Sequence, residues 1–145
     1  MTSWRDTASA SAQADLDSLL GFVVPLAQDL LGKQGEFYPF GATMSRAGET
    51  ALIGEDHGLG QNPQPDEALD AMYDEARDNA TTIRAVAFAS DVLANGSDAF
   101  RVELEHEDGI ALVVLMTYEP AGSEGVTEFG PMSESPGEPR VWGSD

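Results

Sequence analysis

Residues 82–118 read TIRAVAFASDVLANGSDAFRVELEHEDGIALVVLMTY, and few architectures accommodate such a run. Three strand-like segments are separated by two turn signals, Asn95-Gly96 and Asp108-Gly109. In the middle segment Phe100, Val102, Leu104 and His106 fall on one side, and Arg101, Glu103, Glu105 and Glu107 on the other. A period of two is that of a half-buried strand, so the run is an antiparallel meander. Its registers follow from matching the faces. A two-residue loop at Asp108-Gly109 would set Glu105 against Leu112. A three-residue loop with Gly109 left-handed instead pairs His106 with Ile110 and Leu104 with Leu112, which keeps apolar with apolar. A type I′ turn at Asn95-Gly96 pairs Ala87 with Leu104 and Ala89 with Val102. The inner face of the first strand is then Ala85, Ala87 and Ala89, small enough for a helix to pack close. The outer face holds Val86, Phe88, Val113 and Leu115 beside Glu103 and Glu105. These six residues form a half-apolar surface that needs a cover or a partner.

Upstream, from Ser9 or Ser11, the residues Leu16, Leu19, Leu20, Val23, Ala27, Leu30 and Leu31 recur at helical spacing. Pro25 interrupts the stripe without changing its phase, which predicts a kinked helix closed by Gly32 or Gly35. Residues 37–45 and 49–55 read as a hairpin around Arg46-Ala47-Gly48-Glu49, and residues 57–65 as a loop. A second helix is expected over about 65–79, with Pro65 in its first turn and Leu69, Met72, Tyr73 and Ala76 as its buried stripe. The order of helix, hairpin, helix and meander predicts an α+β fold: an antiparallel sheet of about five strands with two helices on one face. Residues 1–120 are expected to form a single α+β domain. Residues 121–145 are expected to be an acidic, Gly- and Pro-rich tail docked on the sheet through Val126, Phe129 and Trp142.

The strings GEFYPFGA, following an apolar helix, and RVELEHEDGIALVVLMTY resemble those of small bacterial proteins. That resemblance implies a compact bacterial domain and no activity. The order of elements is also similar to that of roadblock-type and profilin-like folds, an analogy of topology alone.

Charge narrows the partners. With 26 acids against 7 bases the formal net charge is −19, which repels nucleic-acid backbones and anionic membranes and favours basic or neutral partners. Zero cysteine removes disulfides and thiolate chemistry. The first residues show no signal peptide and no stretch is apolar enough to span a membrane, so the cytoplasm is the expected compartment.

Chemistry-bearing residues are sparse. The two histidines, His57 and His106, each have acidic neighbours: Glu55 and Asp56 for the first, Glu105 and Glu107 for the second. Imidazole with carboxylate suits Zn²⁺ or Mn²⁺. On a strand, however, Glu105 and Glu107 point away from His106, so a solvated loop histidine and a strand-end histidine paired with a carboxylate are the simpler reading. Asp66, Asp70, Asp74 and Asp78 repeat every four residues, either an acidic recognition stripe or the solvated face of the second helix. Phe37, Tyr38 and Phe40 are read as core and edge packing. Gly58-Leu59-Gly60 lacks a following Lys-Ser/Thr and gives no phosphate loop, and there is no nucleophile elbow. No cofactor motif is present. The leading expectation is a small non-enzymatic protein-binding module, in one form an immunity-type protein that neutralises a basic partner; a homodimer is the other use of the apolar face. The alternative is a small metal-dependent hydrolase built on His57, His106 and nearby carboxylates.

Overall fold

The computed structural model describes residues 9–34, 39–53, 65–94, 97–119 and 127–142. The fold is α+β: two helices, α1 (Ala10–Gln34) and α2 (Pro65–Asp78), and six strands. The strands are β1 (Phe40–Ser45), β2 (Thr50–Ile53), β3 (Ile83–Ala94), β4 (Ser97–His106), β5 (Ile110–Glu119) and β6 (Glu128–Pro136). They form one sheet in the order β2-β1-β3-β4-β5-β6, every neighbour antiparallel.

The meander has the registers that face-matching requires. Ala87 pairs with Leu104 and Ala89 with Val102; His106 pairs with Ile110 and Leu104 with Leu112. Gly109 sits at φ 93° and its N–H donates to the His106 carbonyl at 3.0 Å, a conformation that glycine adopts without the Cβ penalty. The sheet has one strand more than the expected five. Residues 128–136, read from composition as tail, pair with β5 from Leu112 to Glu119. A bulge sets Gly130 and Pro131 against Thr117 alone, between the Met116–Met132 and Tyr118–Phe129 pairs. With Pro131 and Pro136 in it, β6 can only be an edge strand.

The inner face carries the larger core. Ser9 caps α1, its Oγ accepting from the Ala12 N–H at 3.1 Å. The helix runs unbroken through Pro25. Gly21, four residues back, carries the carbonyl that Pro25 cannot serve, and Gly21 is exposed, where water can satisfy it. Leu16, Leu19, Val23, Ala27 and Leu31 pack over Ala42, Ala85, Ala87, Ala89, Phe100, Val102 and Val114. The alanines on β1 and β3 are what admit the helix this closely.

The second helix lies on the opposite face. The sequence order predicts both helices on one side, but Leu69, Met72, Tyr73 and Ala76 of α2 pack with Val86 and Phe88, which alternate with Ala85, Ala87 and Ala89. The apolar half of the outer face therefore receives α2 as its cover. Phe88 lies across from Gly41, where an added Cβ would come within 2.5 Å of the ring and 2.7 Å of the Ala87 carbonyl oxygen. Glycine at that position makes room for the phenylalanine.

Candidate functional site

Two polar clusters tie these layers together. The first is at the end of the meander. The β1–β3 ladder slips between Met44 and Ser45, which pair with Ala85 and Ile83, leaving Arg84 as an extra residue. The slip sends Ile83 to the α2 side and lets Arg84 reach α1, where its guanidinium donates to Asp15 Oδ1 at 2.9 Å. The other oxygen of Asp15 is 2.8 Å from His106 Nε2. The Asp108 N–H donates to His106 Nδ1 at 3.1 Å, so Nδ1 is the acceptor and Nε2 carries the proton that Asp15 receives. Asp15 and His106 are both buried. Burial alone would raise the Asp15 carboxyl; the hydrogen bonds from His106 and Arg84, with the Arg84 charge, outweigh it and hold the group below its usual value.

An Asp–His pair invites a catalytic reading, and its geometry answers otherwise. In a triad the second ring nitrogen faces a nucleophile; here it faces a backbone N–H, and the ring is 4% exposed. Both nitrogens are committed to holding the start of α1 against the β4–β5 turn. Next to this cluster Arg46 clamps Glu107 through both carboxylate oxygens at 2.7 and 2.9 Å. Arg46's hydrogen bond draws the Glu107 carboxyl below its ordinary range. Among the described residues no group of three His, Asp or Glu side chains is arranged to hold a metal ion. His57, Glu55 and Asp56 lie outside the described residues, as do Phe37, Tyr38 and the Gly58–Gly60 loop.

The second cluster fills a groove between α2 and the outer face of β4. Its centre is Glu105, 2% exposed, whose carboxylate accepts three successive backbone N–H groups. Arg140 and Val141 donate to Oε1 at 2.8 and 2.9 Å, and Trp142 to Oε2 at 2.7 Å. Consecutive N–H groups around an anion form a nest, here made by the chain's own residues 140–142 on the chain's own carboxylate. The segment is fixed further by its side chains. The Arg140 guanidinium stacks 3.8 Å from the centre of the Tyr73 ring and pairs with Asp70 at 3.0 Å. The Trp142 indole N–H donates to the Ala80 carbonyl at 3.1 Å, and Arg77 Nε donates to the Arg140 carbonyl at 2.8 Å. Under them Tyr73 packs on Phe88 with ring centres 4.4 Å apart and donates its hydroxyl to Glu103 at 2.8 Å. Burial, and then the neighbouring Glu103 carboxylate, hold the Tyr73 phenol far above its ordinary value, so it remains a donor.

The six outer-face residues thus have different fates. Val86 and Phe88 are fully buried beneath α2, Glu105 is buried under residues 140–142, and Glu103, Val113 and Leu115 are half-buried. Of the four-residue acidic repeat, Asp70 holds Arg140 and Asp74 holds Arg77, while Asp78 is exposed. Sequence reasoning missed Asp15 and Arg140. An acid at 15, directly before Leu16 on the apolar face of a helix, demands a buried partner; that signal was legible. Arg140 beside Val141 and Trp142, a cation and two apolar residues in a polar tail, was the other.

No helix among the described residues is long and apolar enough to cross a membrane. No family model, curated protein or solved structure matches the chain.

Proposed function

We propose that this protein is a small non-enzymatic binding module whose partner is a basic protein. One observation carries the reading. The chain holds 7 bases against 26 acids, and the bases are already used internally. Lys33, Arg46, Arg77, Arg84, Arg101 and Arg140 are each paired with an acid of the same chain. Every base except Arg5, which lies outside the described residues, is therefore matched, and the acidic excess has no cations of its own to offset it. A surface of this kind accelerates encounter with a positively charged partner and disfavours anionic ones. Neutralising such a partner, as an immunity-type protein would, is the specific form of the reading. The Asp15–His106 pair supports binding over catalysis because its hydrogen bonds are spent on packing.

The test is titration of the full chain with an arginine-rich decapeptide and with a compact basic protein, at several salt concentrations. Binding that weakens about tenfold between 50 and 200 mM salt is the expected result. Dissociation constants above about 1 mM for both probes at the lower salt would remove the basic partner.

A further inference from the structure

We infer that the groove between α2 and β4 is a peptide-binding site, and that residues 140–142 occupy it as an internal stand-in for the partner. The inference rests on the basic-partner reading and names its site and ligand class: a bent segment, its consecutive N–H groups turned to one side, in which an arginine and an aromatic residue flank an aliphatic one.

The groove states its own chemistry through what fills it. Glu105 is a buried carboxylate whose acceptor capacity is met by backbone N–H groups alone, which any non-proline segment can present. Two features then select side chains. Tyr73, with Asp70 beside it, receives a guanidinium, whose planar charge stacks on a ring better than an ammonium does. The Ala80 carbonyl receives an indole N–H, and Val141 and Trp142 pack against the α2–sheet cluster. Backbone capture gives affinity, and the two side-chain positions give specificity.

Arg140, Val141 and Trp142 are only half-buried, and β6, which leads into them, is exposed from Pro131 to Pro136. Releasing the segment would uncover Glu105, a desolvated carboxylate that must then be hydrated or rebound. That favours exchange for an equivalent segment over an empty groove. The chain's own copy competes at the effective concentration of a short tether, in the millimolar range, so only a segment with better anchors, or a chain with a weakened strap, shows binding.

The experiment uses the full chain and acetylated, amidated peptides of residues 136–142. One carries the native sequence with a fluorescent label; another has phenylalanine in place of tryptophan. Added to the Arg140→Ala protein, whose strap keeps Trp142 but has lost the guanidinium on Tyr73 and Asp70, the phenylalanine peptide should shift the Trp142 emission to the red in a saturable way, because the displaced indole enters water. The labelled peptide should bind at least tenfold more tightly to the Arg140→Ala/Trp142→Ala protein than to wild type. A further Glu105→Gln change should reverse most of that gain. No emission shift up to the solubility of the peptide, or a gain indifferent to Glu105→Gln, overturns the inference. So does a wild-type protein that light scattering shows to be a dimer with the segment exchanged between copies. An arginine peptide without the aromatic residue that binds as tightly as the native one would leave the basic-partner reading intact and discard this groove. If the double variant fails to fold, the emission measurement on the Arg140→Ala chain decides alone.

Discussion

The two faces of the sheet are built by different means. On the inner face α1 is held by shape: leucines and valines over a floor of alanines, with Phe100, Tyr118 and Phe129 closing one end. Its polar contacts are the Asp15–Arg84–His106 cluster at one margin, the Tyr118 hydroxyl on Asp91 and the Gln28 amide on the Met116 sulfur. On the outer face the apolar contact is smaller, centred on Phe88, Met72 and Tyr73, and it is completed by one buried acid, Glu105, that holds hydrogen bonds from the chain's last described segment. A core made by shape alone opens only by unfolding. A face completed by carboxylates and backbone N–H groups can exchange one segment for another, since the same acceptor serves any donor chain. The contrast places the exchangeable part of the molecule on the α2 side.

The largest test asks whether both faces belong to one cooperative unit. Phe100 and Phe88 are each fully buried, one per face. Replacing either by alanine should cost about 3–5 kcal/mol, the usual cost of truncating a buried aromatic residue. Urea unfolding with an unchanged slope measures it. A Phe88→Ala change costing below about 1 kcal/mol would make the α2 face a peripheral attachment.

Glu105→Ala comes next. Three N–H groups lose a charged acceptor, but the segment that carries them can peel away and be hydrated, so the loss is bounded by the docking of residues 140–142. A cost of about 2–3 kcal/mol is expected, with a red shift of Trp142 emission and faster amide exchange at Arg140, Val141 and Trp142 alone. Slower or unchanged exchange there would mean that Glu105 is not what holds the segment.

The inner face was the more legible of the two. Strand parity and turn chemistry gave the meander registers directly, because a slip of one residue would have put Glu105 against Leu112. The alanines of β3 announced a closely packed helix. Parity says which residues share a face, however, and not which face a given helix selects. The stripe of Leu69, Met72, Tyr73 and Ala76 fits either, and the choice was decided by the uncovered Val86 and Phe88. The sixth strand was hidden because an edge strand exposed on both faces has no alternation to read, and its two prolines argue against a strand by composition. Glu105 was assigned to the correct face, but its burial depends on residues 35 positions further on. Long-range hydrogen bonding of that kind leaves no periodic trace.

Acid separates the two polar clusters. The folded-state pKa of Asp15 lies below its ordinary value of 3.8. A depressed carboxylate contributes stability that is fully present above the unfolded value and is lost as pH falls through the folded one. Glu107 has the same sign, from 4.5 downward. Stability should therefore decline below about pH 4, and an Asp15→Asn protein should lose about 1–2 kcal/mol at pH 7 and show a shallower decline on acidification. The loosening should appear first in amides of the α1 N-terminus and the 107–109 turn. If amides at Val141 and Trp142 lead instead, the outer cluster is the acid-sensitive one.

Salt gives the smallest effect, and its sign is informative because two contributions oppose. Lys33–Asp29, Arg77–Asp74 and Arg140–Asp70 are exposed pairs in contact, each worth a few tenths of a kcal/mol and weakened by screening. Against them stands the mutual repulsion of a net charge of −19. A chain of this length folds to a radius of gyration of about 15 Å. The Debye length is about 30 Å at 10 mM and falls below about 8 Å near 200 mM. At the lower salt every charge feels every other; at the higher, only neighbours interact. Adding salt therefore removes the long-range repulsion first and leaves contact pairs the more intact. A net stabilisation on the order of 1 kcal/mol is expected, read as a rise in melting temperature between 10 and 200 mM sodium chloride. The comparison sharpens if Arg140→Ala and Arg84→Ala proteins are scanned alongside. Removing Arg140 leaves Asp70 unpaired on the exposed surface, so the salt-induced rise should grow. Removing Arg84 leaves a buried acid that mobile ions do not reach, so the rise should hardly change. A melting temperature that falls with salt in the wild-type chain would mean that the contact pairs outweigh the repulsion, and the acidic excess would then be locally balanced and no longer available to steer a basic partner.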